Sequence, residues 1–120
     1  MSVIFSILVN QTLTANGNYL YENDHAQEMV LFWNIQGPIT GTLPTIQFTL
    51  QEIDPNDRVS FIGQTINSSI INNTGTGQMV LSLGMSSIVS VMWSVGGSSP
   101  SFGAVSISAI SRDVANIINV

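Results

Sequence analysis

The only histidine of this chain, His25, stands among three carboxylates, Glu22, Asp24 and Glu28. Carboxylate oxygens suit a hard cation, and an imidazole beside them adds a ligand for a softer metal. The spacing follows no established ligand pattern, so a solvated loop between two strands is the expectation here. Asp54-Pro55-Asn56-Asp57 opens like a calcium loop, with acidic and amide side chains close together. It lacks the following Gly and the distal Glu of that motif, and an Asx-Pro turn accounts for it without an ion. Arg58 next to it is expected to pair with a nearby carboxylate, a surface interaction of no more than about 1 kcal/mol.

Catalysis finds no better footing elsewhere. There is no cysteine, His25 has no neighbouring Ser in a nucleophile elbow, and nothing marks a glycosidase-style pair of carboxylates. The expectation is a protein without catalytic residues, metal or cofactor, and not an enzyme. Trp33, Trp93, Tyr19 and Tyr21 would offer flat stacking platforms for sugars if exposed. Both tryptophans sit within apolar strands, so core packing is the expected role for at least one of them.

The elements that hold these side chains read as strands. Residues 45–53 alternate, placing Ile46, Phe48 and Leu50 on one face and Thr45, Gln47, Thr49 and Gln51 on the other, the pattern of a half-buried strand. Residues 78–83, 88–95 and 102–110 are strand-like in composition. Residues 28–35 are apolar at consecutive positions, which suits a central strand covered on both faces; a short helix is the alternative by pattern, and the parallel with Trp93 favours the strand. Turn chemistry separates these runs at short intervals, at residues 15–18, Gly37-Pro38, 54–57, 72–77, Gly84 and Gly96-Gly97. The fold class that follows is all-β: one antiparallel β-sandwich or jelly-roll-like domain of seven to eight strands. We place an N-terminal strand or arm at residues 1–11, the sandwich at 12–110, and a C-terminal arm or short helix capped by Ser111 at 111–120.

One internal echo stands out. Trp33-Asn34-Ile35-Gln36-Gly37, continuing through Gly41-Thr42-Leu43-Pro44-Thr45-Ile46-Gln47-Phe48, is echoed by Trp93-Ser94-Val95-Gly96-Gly97-Ser98-Ser99-Pro100-Ser101-Phe102. Each copy reads as a β-hairpin: a strand bearing a Trp, a Gly-rich reversal, and a return strand starting at Pro, which lacks the N–H of a central ladder. The first copy has the more elaborate loop. Two copies imply a pseudo-symmetry between sheets rather than a solenoid.

Composition narrows the function classes. Charged residues are 8% of the chain, against about 25% in ordinary soluble domains. There is no lysine, and Arg58 and Arg112 face seven carboxylates for a net charge of −5. Such a chain does not neutralise a phosphate backbone, so direct nucleic-acid binding is not expected. No apolar run nears the roughly 18 residues of a membrane-crossing helix, and no membrane partner is expected. Residues 1–9 lack the basic start and cleavage site of a signal peptide. Three N-x-[ST] triplets, at Asn10, Asn67 and Asn72, reflect the abundance of Asn, Ser and Thr.

Residues 13–19, Gly41-Thr42-Leu43-Pro44-Thr45-Ile46-Gln47-Phe48-Thr49-Leu50-Gln51 and Trp93-Ser94-Val95-Gly96-Gly97-Ser98-Ser99-Pro100-Ser101-Phe102 resemble small β-sandwich virion proteins of tailed bacteriophages. The resemblance spans roughly residues 12–110, nearly a whole domain. One departure is an apolar residue, within residues 88–92, where those proteins usually carry an Arg before the second Trp. The resemblance implies a virion structural protein, foremost a capsid cement or decoration protein. It would sit on the capsid surface after synthesis in the host bacterial cytoplasm, bind the major capsid protein, and link its subunits as a homo-oligomer, with a trimer favoured. A tail or neck connector is the alternative, and a carbohydrate- or receptor-binding sandwich is the alternative of another class. The candidate interface residues lie on the apolar ends: Val3, Ile4, Phe5, Ile7 and Val9, and Val114, Ile117, Ile118 and Val120, each end able to add a strand to a partner's sheet edge.

Overall fold

A chain that alternates apolar and polar residues buries one face by pairing its segments as strands. The computed structural model describes residues 2–22, 28–54, 56, 61–82 and 88–112, the side chains of 2, 3, 61–64 and 112 excepted. Among these residues there are seven antiparallel strands and no helix: β1 (Ser2–Leu13), β2 (Gly17–Glu22), β3 (Glu28–Ile35), β4 (Ile39–Ile53), β5 (Phe61–Asn67), β6 (Gly75–Ser82) and β7 (Ile88–Arg112). The segments read from sequence as separate strands at 88–95 and 102–110 are a single strand of 25 residues.

β7 is the spine. On one flank, β3 pairs with its C-terminal half, from Glu28 opposite Arg112 to Ile35 opposite Val105. On the same flank, β4 pairs with the rest, from Ile39 opposite Phe102 to Ile53 opposite Ile88. Pairing does not lapse between them: Gln36 N donates to Ala104 O at 3.2 Å, Gly37 N to Gly103 O at 2.9 Å, and Gly103 N to Pro38 O at 3.0 Å. On the other flank, β1 and β2 divide β7 in the same way. Outside β3 and β4 run β6 and β5. Between those two, Ser68 N donates to Phe48 O at 2.8 Å and Ile71 exchanges two hydrogen bonds with Ile46.

The described chain is thus four long legs, residues 2–22, 28–53, 61–82 and 88–112, side by side in the order first, fourth, second, third. They make two four-stranded halves, β1-β7-β3-β6 and β2-β7-β4-β5. Both halves belong to one sheet that nearly closes on itself. Glu22 and Glu28 pair with opposite ends of β7, Ile88 and Arg112, yet they are six residues apart in sequence, a reach of about 20 Å. A straight strand of 25 residues would extend about 80 Å, so β7 doubles back.

The core lies between the halves. Met29, Leu31, Ile35, Leu81, Val105 and Ile107 from one half form a single cluster with Ile46, Phe48, Leu50, Val89 and Val91 from the other. Burying a side chain such as Phe48 or Leu50 contributes about 1.5–3 kcal/mol. Two aromatic pairs bridge the halves: Trp33 stacks on Phe48 with ring centroids 4.9 Å apart, and Phe5 stacks on Tyr21 at 3.9 Å with planes 9° apart. β3 is central in its half, as its consecutive apolar residues require: Met29 and Leu31 face the core, and Val30, pointing the other way, is also buried.

The two Trp…Gly…Pro segments are not hairpins. Neither folds back to pair with itself; each is the stretch in which a leg crosses from one half to the other, and the two crossings pair with each other, Thr42 opposite Ser98 and Thr45 opposite Gly96. The expected pseudo-symmetry takes the form of a local two-fold. Gly41 and Gly97 have φ of 109° and 108°, and two residues on, Leu43 and Ser99 have φ of 50° and 48°, each followed by Pro. Gly and Pro mark a reversal from sequence, but the same residues serve a bulged bend that turns a strand without ending it. A second symmetric device joins Trp33 to Gly77 and Trp93 to Gly17, each pair directly opposite across two strands. Each indole occupies the space that a Cβ on the facing glycine would need, so both tryptophans lie half-buried against the core.

Candidate functional site

The acidic cluster does not assemble a site among the described residues. Glu22 closes β2 in one half while Glu28 opens β3 in the other; Asp24, His25, Asp57 and Arg58 lie outside the described residues. Among the described residues no three of His, Cys, Asp or Glu come together. Asp54 instead ties its own turn, accepting at Oδ1 from Asn56 N at 2.8 Å, the Asx turn that the sequence indicates. Glu52, which sequence reading passes over, takes the inward position in step with Phe48 and Leu50 and is fully buried.

The N-terminal interface candidates all fall on β1, which pairs along β7 of its own chain. Alternation divides Ile4 from Phe5, and the register shifts after Ser6 turn Val9 away from the side that Ile7 takes. Phe5 and Ile7 pack against the core, while Ile4 and Val9 point outward, 75% and 58% exposed; the side chain of Val3 lies outside the described residues, as do Val114, Ile117, Ile118 and Val120. β1 has one strand neighbour among the described strands, so its outer side is a sheet edge. The ladder is regular from Ser2 opposite Arg112 to Ser6 opposite Ser108 and then shifts three times before Leu13. Bulges of this kind spoil an edge for further pairing, which leaves residues 2–6 as its orderly stretch.

The outer face of the β1-β7-β3-β6 half is built in rows. One step in from the row of Ser2, Arg112, Glu28 and Ser82, the residues Ile4, Ile110, Val30 and Val80 lie side by side across all four strands. One step further along come Ser108, Phe32 and Gln78, and after them Ser106, Asn34 and Thr76. These last two rows line an open depression of about 460 Å³, together with Trp33 and Gly77. A second depression of about 270 Å³, lined by residues 69–76, shares Trp33 and Thr76 with the first. Asn34 and Ser108 are half-buried. Sequence reading missed this grouping because its members come from three strands and alternate with core residues in each.

The four aromatic residues that could offer a stacking surface part company. Trp93 lies over Gly17, Tyr21 is stacked on Phe5, Trp33 is shared between core and depression, and Tyr19 is 40% exposed on β2. No protein-family model and no curated protein matches this chain.

Proposed function

We propose that this protein is a jelly-roll structural component of a tailed-phage particle, a cement protein that docks on the outer capsid surface and links neighbouring subunits of the major capsid protein. The observation that carries the reading is the leg order first, fourth, second, third, with every leg shared between two four-stranded halves. This is the order produced by wrapping paired antiparallel legs into a double Greek key, an architecture used widely for viral shell proteins. The resemblance of residues 41–51 and 93–102 to phage sandwich proteins supports the same reading, since those residues form the paired crossings on which this order turns.

Binding would use interface burial and strand addition. The orderly edge at residues 2–6, unpaired among the described strands, presents backbone groups to a partner strand, and exposed Ile4 anchors the contact with its apolar side chain. A trimer fits the threefold positions of an icosahedral shell, and a surface with few charges suits a protein that remains docked. No catalytic step belongs to this role. The test is a particle map together with a deletion. The protein should occupy the shell exterior, and particles without it should release DNA at lower temperature or lower salt. Particles equally resistant without it, or density confined to the tail, would overturn the reading.

A further inference from the structure

We propose that the paired depressions over β3 and β6 form a binding site for a neutral oligosaccharide. The inference is independent of the capsid role. It rests on the chemistry of the lining: Phe32 at the centre, Ser108 and Gln78 on either side of it, Asn34 and Thr76 in the next row, with Trp33 and Gly77 also in the lining. Amides and hydroxyls both donate and accept, as sugar hydroxyls do, and the aromatic surface suits the apolar face of a sugar ring. No lining residue is charged.

The polar groups are available. Ser106 is engaged with Asn10, accepting from its backbone N at 3.0 Å. The side chains of Asn34, Thr76, Gln78 and Ser108 make no hydrogen bond to other described residues, although Asn34 and Ser108 are half-buried. Half-buried polar groups without protein partners are the ones a ligand can satisfy. The grid spans two strand spacings, about 10 Å, by one two-residue step, about 7 Å, the footprint of one or two sugar rings. The adjoining depression, with Asn72 and Asn73 in its wall, extends the track and favours an oligosaccharide over a single sugar. A net charge of −5 works against anionic glycans. Phe32, Asn34, Thr76 and Gln78 lie beyond β7 from the β1 edge, so strand addition at that edge leaves them uncovered.

The test is an amide-resolved NMR titration of the full chain with neutral oligomers of glucose, mannose, galactose and N-acetylglucosamine, a sulfated oligosaccharide serving as the anionic arm. At roughly 10 mM, well above a 1 mM dissociation constant, at least one neutral oligomer should shift the side-chain amides of Asn34 and Gln78 and the indole N–H of Trp33, leaving that of Trp93 unmoved. Asn34→Ala and Gln78→Ala, both on the outward face of their strands, should each weaken that binding about tenfold, the effect of one lost hydrogen-bonding group. The proposal is overturned by silence from every neutral oligomer, by a response to the sulfated arm alone, or by binding indifferent to both variants. Shifts of the same amides on raising protein concentration without sugar would assign the face to self-association and overturn it equally.

Discussion

The space that a side chain on Gly41 would need is filled by the backbone beside Gly97, and the space that one on Gly97 would need is filled by the backbone beside Gly41. A Cβ on Gly41 would fall 2.6 Å from Ser99 O and 2.9 Å from Ser98 O, and one on Gly97 would fall 2.6 Å from Leu43 O and 2.8 Å from Thr42 O. The two crossings approach this closely because neither carries a side chain at the contact. Backbone atoms cannot swing aside as the end of a side chain can, and φ near +108° is itself foreign to L residues. Gly41→Ala and Gly97→Ala should each destabilise the protein by about 3 kcal/mol. The double variant should lose less than the sum, because either change breaks the same crossing. Urea unfolding followed by tryptophan fluorescence checks both; a loss under about 1 kcal/mol in either single variant would contradict the reciprocal packing.

Leu43 stands two residues after Gly41 with φ of 50°, a left-handed conformation that costs an ordinary L residue about 1–2 kcal/mol. Its side chain is 83% exposed, so little packing is lost on replacing it. Asn tolerates this conformation far better, and Leu43→Asn should stabilise by about 0.5–1 kcal/mol, raising Tm by about 2–8 °C. Calorimetry reads the change directly. A lowered Tm would mean that Leu43 makes a contact worth more than its strain.

Trp33 and Gly77 form a unit across β3 and β6, with the indole lying over the bare glycine. Gly77→Ala drives a methyl group into the ring and should cost about 2 kcal/mol. In a Trp33→Leu background the same change should cost less than about half of that, giving a coupling of at least about 1 kcal/mol. A double-mutant cycle by chemical denaturation measures it, and additive losses would refute the unit.

Neighbours on β1 should behave oppositely. Phe5 stacks on Tyr21 between the halves, and Phe5→Ala should cost about 2–4 kcal/mol. Ile4 points outward, and Ile4→Asp should change stability by no more than about 0.5 kcal/mol while abolishing co-sedimentation with capsids under the proposed function. Stability loss on Ile4→Asp comparable to that of Phe5→Ala would place Ile4 inside the protein.

The strands and turns were legible because they rest on near neighbours. The alternation from Ile46 to Leu50 says which side of β4 is buried, and Asp54 with Asn56 needs only its own loop to form an Asx turn. The depression over β3 was not legible. Asn34 and Ser106 are opposite each other in space but 72 residues apart in sequence, and polar residues on an outward face look alike whether they meet solvent or line a site.

The sequence alone determined an all-β chain, its alternating faces, and the points at which Gly and Pro interrupt them, because period, propensity and turn chemistry are local properties. It could not decide what the interruptions at Gly41 to Pro44 and Gly97 to Pro100 do. A hairpin and a crossing make the same local demands on φ and on missing N–H groups, and differ in whether the chain beyond the bend returns to its own strand or continues along another. That choice belongs to pairs such as Ile35 with Val105 and Ile46 with Val95, and to the closure of one core between two halves. Only the assembled tertiary structure brings those contacts together, and with them it turns two apparent hairpins into the paired corners of four continuous legs.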